Sequence, residues 1–213
     1  QKCTAIRRVL VPENQVDALA ERIKERLAKL KAGDPSEEGV RLGALASQDQ
    51  LRDVTESIDR LLETSDCLFG RDNGFKPVGA GTDKGAFIAP HLLLSRNPLE
   101  DGGAHDIEAF GPVATLMPYN GIEQALTIAA KGKGSLVTTL TTKDPAIAAE
   151  MIPVLAAQHG RLQILDAEAS KESTGHGSPL PMLKHGGPGR AGGGEELGGI
   201  RAVHHYLQRT AIQ

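Results

Sequence analysis

The chain has 213 residues and a formal net charge of -3, with 39% hydrophobic and 24% charged residues. This is the composition of a globular chain long enough to bury a core, and it excludes an intrinsically disordered one. Lys and Arg are scattered along the sequence, which argues against nucleic acid as a partner because phosphate binding needs a basic face. No apolar run approaches the roughly 18 to 20 residues that a membrane span needs. Aromatics make up only 3% and Trp is absent, so the core rests on Leu, Ile, Val and Ala. The two cysteines, Cys3 and Cys67, are too few for a disulfide framework, and a reducing cytoplasm is the expected compartment.

The chain opens on Gln1-Lys2-Cys3, followed directly by the strand-like run Ile6-Arg7-Arg8-Val9-Leu10-Val11. A polar tripeptide abutting a buried strand is an unusual domain start, and the expectation is a fragment with further residues ahead of it. Val16, Leu19, Ala20, Ile23, Leu27 and Leu30 recur at helical spacing, predicting an amphipathic helix over residues 13 to 31. Gly33-Asp34-Pro35 stops it. A second helix is predicted over 47 to 63, with Leu51, Val54, Ile58, Leu61 and Leu62 on one face. Cys67-Leu68-Phe69 reads as a short strand, 73 to 85 as a Gly-rich loop, and 87 to 94 as a strand interrupted by Pro90.

Strands are expected at 113 to 117, at 135 to 140, where Ser-Leu-Val-Thr-Thr-Leu is β-branched, and at 161 to 165. Helices are expected over 122 to 130 and 145 to 158, the latter opened by Asp144 as N-cap and Pro145 at the first position. This alternation predicts an α/β fold, a parallel sheet with covering helices. Beyond Leu165 the pattern dissolves into a Gly-, Ser-, His- and Pro-rich stretch over 167 to 199, too long to be idle in a compact domain. Residues 200 to 207 read as helical.

Three features compete for a functional reading. Gly187-Pro188-Gly189-Arg190-Ala191-Gly192 fits GxGxxG spacing literally, but a dinucleotide fingerprint sits between a strand and a helix, with an acid about 20 residues further on. Lacking that context, it reads as a tight loop packed against backbone. His176, His185, His204 and His205 match no zinc spacing, so no metal site is expected. His185, just ahead of Gly186-Gly187, is kept as a pocket candidate. Of the cysteines, Cys67 lies in an apolar run and behaves as a small hydrophobe. Cys3 is followed by small residues and two arginines, where a thiolate is approachable and near cations.

The opening Gln1-Lys2-Cys3 resembles the Gly-Gln-x-Cys motif of the aldehyde dehydrogenase superfamily, lacking its leading Gly. Glu108-Ala109-Phe110-Gly111-Pro112-Val113 resembles the family's Glu-x-Phe-Gly-Pro-Val motif, and Gly33-Asp34-Pro35 its loop after the first helix. The resemblance runs through the chain in order, and it implies specific roles. Cys3 is the catalytic nucleophile; Glu108 binds the nicotinamide ribose, Phe110 lies against the nicotinamide, and Arg8 stands where these enzymes carry an arginine. NAD or NADP is the implied cofactor, held mainly by a nucleotide-binding domain upstream. The family's general-base Glu and oxyanion Asn also lie ahead of the cysteine, so this chain alone is expected not to turn over.

The fold implied is the three-layer catalytic domain over 1–206, with helices on both faces of a parallel sheet. A strand of the oligomerisation type then begins at 207–213, near Tyr206 to Ile212, and implies a homo-oligomer. The runs from Lys171 to Pro181 and from His185 to Gly199 are similar to the aldehyde dehydrogenase half of the bifunctional phenylacetate-degradation branch. That half oxidises a CoA-linked semialdehyde. The semialdehyde dehydrogenases of aerobic benzoyl-CoA breakdown share a similar glycine run and are the nearest alternative. His185 stands where most members have Phe, and Asp166 where many have Asn, which implies an uncommon substrate tunnel. Outside the family, a thiol hydrolase pairing Cys3 with His176 or His185, or a non-catalytic interaction domain, stays open.

Overall fold

The computed structural model describes residues 2–71, 74–81, 85–175 and 185–192, together with Val203, Leu207, Thr210 and Ile212. The chain forms two compact units, residues 1–128 and 129–213. The division falls inside the span read from the sequence as one catalytic domain.

The first unit begins with β1 (Arg8–Pro12) and α1 (Val16–Ala28), then two very short strands, β2 (Lys31–Ala32) and β3 (Val40–Leu42). These are followed by α2 (Gln48–Leu62), β4 (Ser65–Phe69), β5 (His91–Ser95), β6 (Val113–Tyr119) and α3 (Ile122–Ala130). Strands β1, β6, β5 and β4 make one sheet in that order. The pairs β1–β6 and β5–β6 are parallel, while β4 runs antiparallel to β5.

That antiparallel strand departs from the all-parallel expectation. A parallel return needs a crossover element, usually a helix, and the described part of the 70–90 connection contains none. The predicted strand near residues 87 to 94 starts only at His91, directly after Pro90. Proline lacks the N–H a sheet ladder needs, so it stands just outside the strand.

Side chains alternate across the sheet and bury both faces. Leu92, Leu116 and Val11 turn to one side, where Val16 and Ala20 of α1 cover them, with Leu19 and Ile23 half-buried beside them. Leu93, Val113 and Met117 turn to the other, against Val54, Ile58 and Leu61 of α2 and Ile128 of α3. The result is three layers, the α/β architecture expected. The N-terminus of α2 is fixed by Ser47, whose hydroxyl accepts the Gln50 N–H at 3.0 Å. The small β2–β3 pair, bridged onward from Gly33 to Val78, had no sequence signal, because two- and three-residue strands carry no periodicity.

The second unit holds β7 (Ser135–Thr141), α4 (Pro145–Ala156), β8 (His159–Leu165) and the four-residue α5 (Ala169–Glu172). Strands β7 and β8 pair in parallel as a separate two-stranded sheet joined through α4. Asp144 caps α4 as its sequence predicts, with Oδ1 accepting the Ala146 N–H at 2.8 Å. The expected helix over 200 to 207, and the closing strand near Tyr206 to Ile212, fall largely outside the described residues.

Candidate active site

Strands β1 and β6 are adjacent and parallel, so they start at the same end of the sheet. Their register pairs Arg8 with Thr115, and the Thr115 N–H donates to the Arg7 carbonyl at 2.9 Å. Cys3 and Phe110 each lie five residues ahead of that pair. Sheet geometry therefore delivers both motif segments to one edge.

Cys3 is exposed, beside a buried Thr4. Its segment is a turn, with the Ala5 N–H bonded to the Lys2 carbonyl at 2.9 Å. Glu108 is exposed, and Phe110 keeps 38% of its surface in solvent although it is a large apolar ring. One small pocket collects the two segments: Lys2, Ala5, Ile6 and Arg7 line one side, Glu108 through Gly111 and Val113 the other. Ile6, 57% exposed, joins Phe110 as a solvent-facing apolar side chain there. The exposed Glu108 carboxylate can accept hydroxyl hydrogens and Phe110 offers a solvent-facing ring in the same pocket, while Cys3 is not one of the pocket's lining residues.

The two arginines after Cys3 tie these segments together. Arg7 Nη1 donates to the carbonyls of Ala104 at 2.9 Å and Ile107 at 3.1 Å. Arg8 Nη1 reaches His105 Nδ1 at 2.9 Å and the Ile128 carbonyl at 3.0 Å. His105 is buried, and its Nε2 lies 2.8 Å from the Pro98 carbonyl. From the other side, Gln50 Nε2 of α2 donates to the Phe110 carbonyl at 3.0 Å. Gly111 sits so close to α2 that a Cβ there would stand 2.9 Å from Val54 Cγ1, which explains a glycine in the motif. The Pro112 carbonyl accepts the His91 N–H at 2.8 Å.

Sequence reasoning missed Arg7, His105 and Gln50. None follows a spacing rule, since Arg7 and Gln50 bond backbone carbonyls far along the chain and His105 joins the distant Arg8 side chain to the Pro98 carbonyl. The arginine pair beside the cysteine was the one available signal. His91, at the start of β5, has its imidazole pKa pushed below the ordinary value, first by burial and also by the Arg71 charge. A bond from its Nδ1 to the Ala89 carbonyl partly offsets this.

His185 is half-buried in the second unit, at the start of the loop 185–192. That loop is a close-packed turn: the Gly187 N–H meets the Gly192 carbonyl at 2.9 Å, and the Arg190 N–H meets the Lys133 carbonyl at 2.9 Å. It includes one short 3-10 turn, Gly189–Ala191, and neither a strand nor an α-helix. The GxGxxG run is thus a tight loop against backbone, as its sequence context implied. Asp166 is engaged locally, its Oδ1 accepting the N–H groups of Glu168 and Ala169 at 3.0 and 2.7 Å. His176, His204 and His205 lie outside the described residues. Among the described residues no three His, Cys, Asp or Glu side chains gather as a metal site, and no helix is long and apolar enough to cross a membrane.

The model of the family described as "Aldehyde dehydrogenase family" matches residues 1–212. The chain belongs to the aldehyde dehydrogenase family. It is 52% identical over 173 residues to "Protein MaoC" of Klebsiella aerogenes, covering 81% of this chain and 50% of that protein. It is 42% identical over 188 residues to the 3,4-dehydroadipyl-CoA semialdehyde dehydrogenase of Aromatoleum evansii, covering 88% of this chain and 36% of that one. This aldehyde dehydrogenase chain therefore spans half or less of the length of these curated relatives. Among solved structures, the succinic semialdehyde dehydrogenase of Streptococcus pyogenes in complex with NADP+ shares the fold at a TM-score of 0.76 and 24% identity, covering 93% of this chain and 40% of that one. Aldehyde dehydrogenase 21 of Physcomitrella patens, in complex with succinate, gives a TM-score of 0.76 at 23% identity, covering 97% of this chain and 38% of that one.

Proposed function

We propose that this chain is the cysteine-bearing catalytic portion of an NAD- or NADP-dependent dehydrogenase that oxidises a CoA-linked semialdehyde to its acid in aerobic aromatic catabolism. The observation that carries this reading is the meeting of the Cys3 segment with the Glu108–Phe110 segment, which lead into the neighbouring parallel strands β1 and β6. The relative named for a CoA semialdehyde supports the substrate class.

In this reading the Cys3 thiolate attacks the aldehyde carbon, forming a thiohemiacetal whose oxyanion is stabilised by donors such as the Cys3 backbone N–H. A nicotinamide cofactor, when bound, would supply the hydride acceptor that the thiohemiacetal needs to become a thioester. Glu108 would hold its ribose and Phe110 its ring, keeping the reacting carbon close to the sulfur. Water activated by a general base then releases the acid and restores the Cys3 thiol. That base, the second oxyanion donor and the nucleotide-binding domain are assigned in this reading to the share of the relatives' length that this chain does not span. His185, in the second unit, is kept in this reading as the substrate-pocket residue on its motif position alone. Residues 1–206 act as the catalytic domain, and the 207–213 segment takes part in pairing subunits into a cytoplasmic homo-oligomer.

The test is nicotinamide reduction by the full-length polypeptide and by its Cys3→Ser variant. Turnover of 3-oxo-5,6-dehydrosuberyl-CoA semialdehyde should fall at least about a thousandfold in the variant. Undiminished turnover in Cys3→Ser would remove the proposal. Faster turnover of 3,4-dehydroadipyl-CoA semialdehyde would favour the benzoyl-CoA branch instead, as the 42% identity to that dehydrogenase allows. The 213-residue chain by itself should show no turnover.

A further inference from the structure

We propose that His105, acting through Arg8, is a positioning residue that sets Glu108 and Phe110 at the right distance from Cys3 for cofactor binding. The proposal rests on the reading of Glu108 and Phe110 as cofactor residues.

The hydrogen bonds fix the state of the ring. A guanidinium has donors only, so the Arg8 contact at 2.9 Å requires His105 Nδ1 to accept. A carbonyl has acceptors only, so the Pro98 contact at 2.8 Å requires Nε2 to donate. His105 is therefore assigned as the neutral, Nε2-protonated tautomer. Only a group with one donor and one acceptor at this spacing joins both partners.

What the ring joins explains the role. On one side is Arg8, which opens β1 five residues after Cys3 and also grips the Ile128 carbonyl in α3. On the other is the turn at Pro98. His105 lies three residues ahead of Glu108, inside the turn whose Ala104 and Ile107 carbonyls are bonded to Arg7. Consecutive arginines at the start of β1, four and five residues after Cys3, thus hold successive points of the segment leading into Glu108-Ala109-Phe110. Arg7 holds it by backbone; Arg8 holds it through one side chain, His105. Glu108 itself is exposed, between Ile107, whose carbonyl Arg7 holds, and Phe110, whose carbonyl Gln50 holds. A shift of about 1 Å in such a segment is enough to misplace a cofactor against a nucleophile, at a cost of tenfold or more.

A merely structural histidine would lower stability without separating the kinetic constants, so the experiment separates them. Steady-state nicotinamide reduction and iodoacetamide labelling of Cys3 are measured on the full-length enzyme and its His105→Leu, His105→Gln and Arg8→Lys variants. His105→Leu should raise the cofactor KM about tenfold, while Cys3 labelling stays within about twofold of the parent. His105→Gln, which keeps a donor and an acceptor, should return the KM to within about threefold. Arg8→Lys, whose side chain is shorter and lacks the planar guanidinium that reaches both His105 and the Ile128 carbonyl, should raise it about fivefold. If His105→Leu fails to fold, the other two variants decide on the same figures. An unchanged cofactor KM in His105→Leu and Arg8→Lys overturns the proposal. So does a loss of KM, kcat and labelling together, or no rescue by Gln. A parent enzyme that reduces no nicotinamide overturns the functional reading itself, and this inference with it.

Discussion

Segments 103–113 and 185–192 are both glycine-containing, both carry residues singled out in the sequence, and they are held in opposite ways. The first is gripped by side chains reaching from elsewhere in its unit: Arg7, Arg8 and Gln50 donate to it from β1, its approach and α2. The second is held by backbone lying on backbone. A Cβ at Gly160 would stand 1.5 Å from the Gly186 carbonyl oxygen, and one at Gly134 would stand 2.0 Å from that of Pro188. Side-chain grips can be adjusted or substituted by a group of matching donors. Backbone contacts tolerate no added atom, which suits a segment whose value is its fixed shape.

The largest expected effect comes from breaking the backbone-held segment. Gly160→Ala should lower stability by about 3 kcal/mol in urea denaturation, since the clashing atom belongs to a main chain that cannot swing away. A loss under about 1 kcal/mol would mean that the 185–192 loop yields easily. Breaking the side-chain grip should cost less. Arg7→Met removes charged hydrogen bonds to the Ala104 and Ile107 carbonyls, so about 2 kcal/mol is expected, together with a raised cofactor KM. If stability falls but the KM does not, Arg7 supports the fold and not the site.

Gly111→Ala sharpens the contrast, because it tests a close approach to a buried side chain within the side-chain-held segment. Its Cβ would meet Val54 Cγ1 at 2.9 Å and Cγ2 at 3.0 Å, and Val54 is fully buried. A loss of about 1 kcal/mol is expected, smaller than at Gly160 because a side chain has some room to give. A larger loss than at Gly160 would reverse the comparison.

The smallest effect concerns pH. Burial and Arg71 depress the His91 pKa in the folded chain below 6.5. The folded state therefore favours the neutral ring; that contribution is complete above about pH 6.5 and is lost as pH falls through the lower folded value. Wild-type stability should drop more between pH 6.5 and 5 than that of His91→Gln, by denaturant titration at each pH. Parallel pH profiles would show that His91 titrates as it does in the unfolded chain.

Much of this fold could be read from the sequence, because its helices carry clean apolar stripes and explicit caps. Residues 48–62 and 145–156 emerged near their predicted bounds for that reason, with Ser47 and Asp144 as their caps. The direction of β4 was not readable, since strand polarity depends on its connection and not on its residues. At the site, motif resemblance pointed to Cys3, Glu108 and Phe110, and parallel pairing of β1 with β6 explains why the segments bearing them meet. The grip between them was hidden. Arg7, Arg8 and Gln50 act on carbonyls and the His105 ring nitrogen roughly 60 to 120 residues away, and no local pattern encodes such partners. In the glycine-rich run the spacing misled while the context did not, because a phosphate loop needs the strand and helix that flank it.

The central claim is that Cys3 carries the covalent step. The most direct measurement is mass spectrometry of the full-length enzyme, acid-quenched during turnover of a CoA-linked semialdehyde with nicotinamide cofactor and digested at low pH. The account predicts an acyl thioester on the peptide containing Cys3, none on that containing Cys67, and loss of the adduct in Cys3→Ser. An adduct on Cys67, or steady product formation that survives Cys3→Ser, would contradict it.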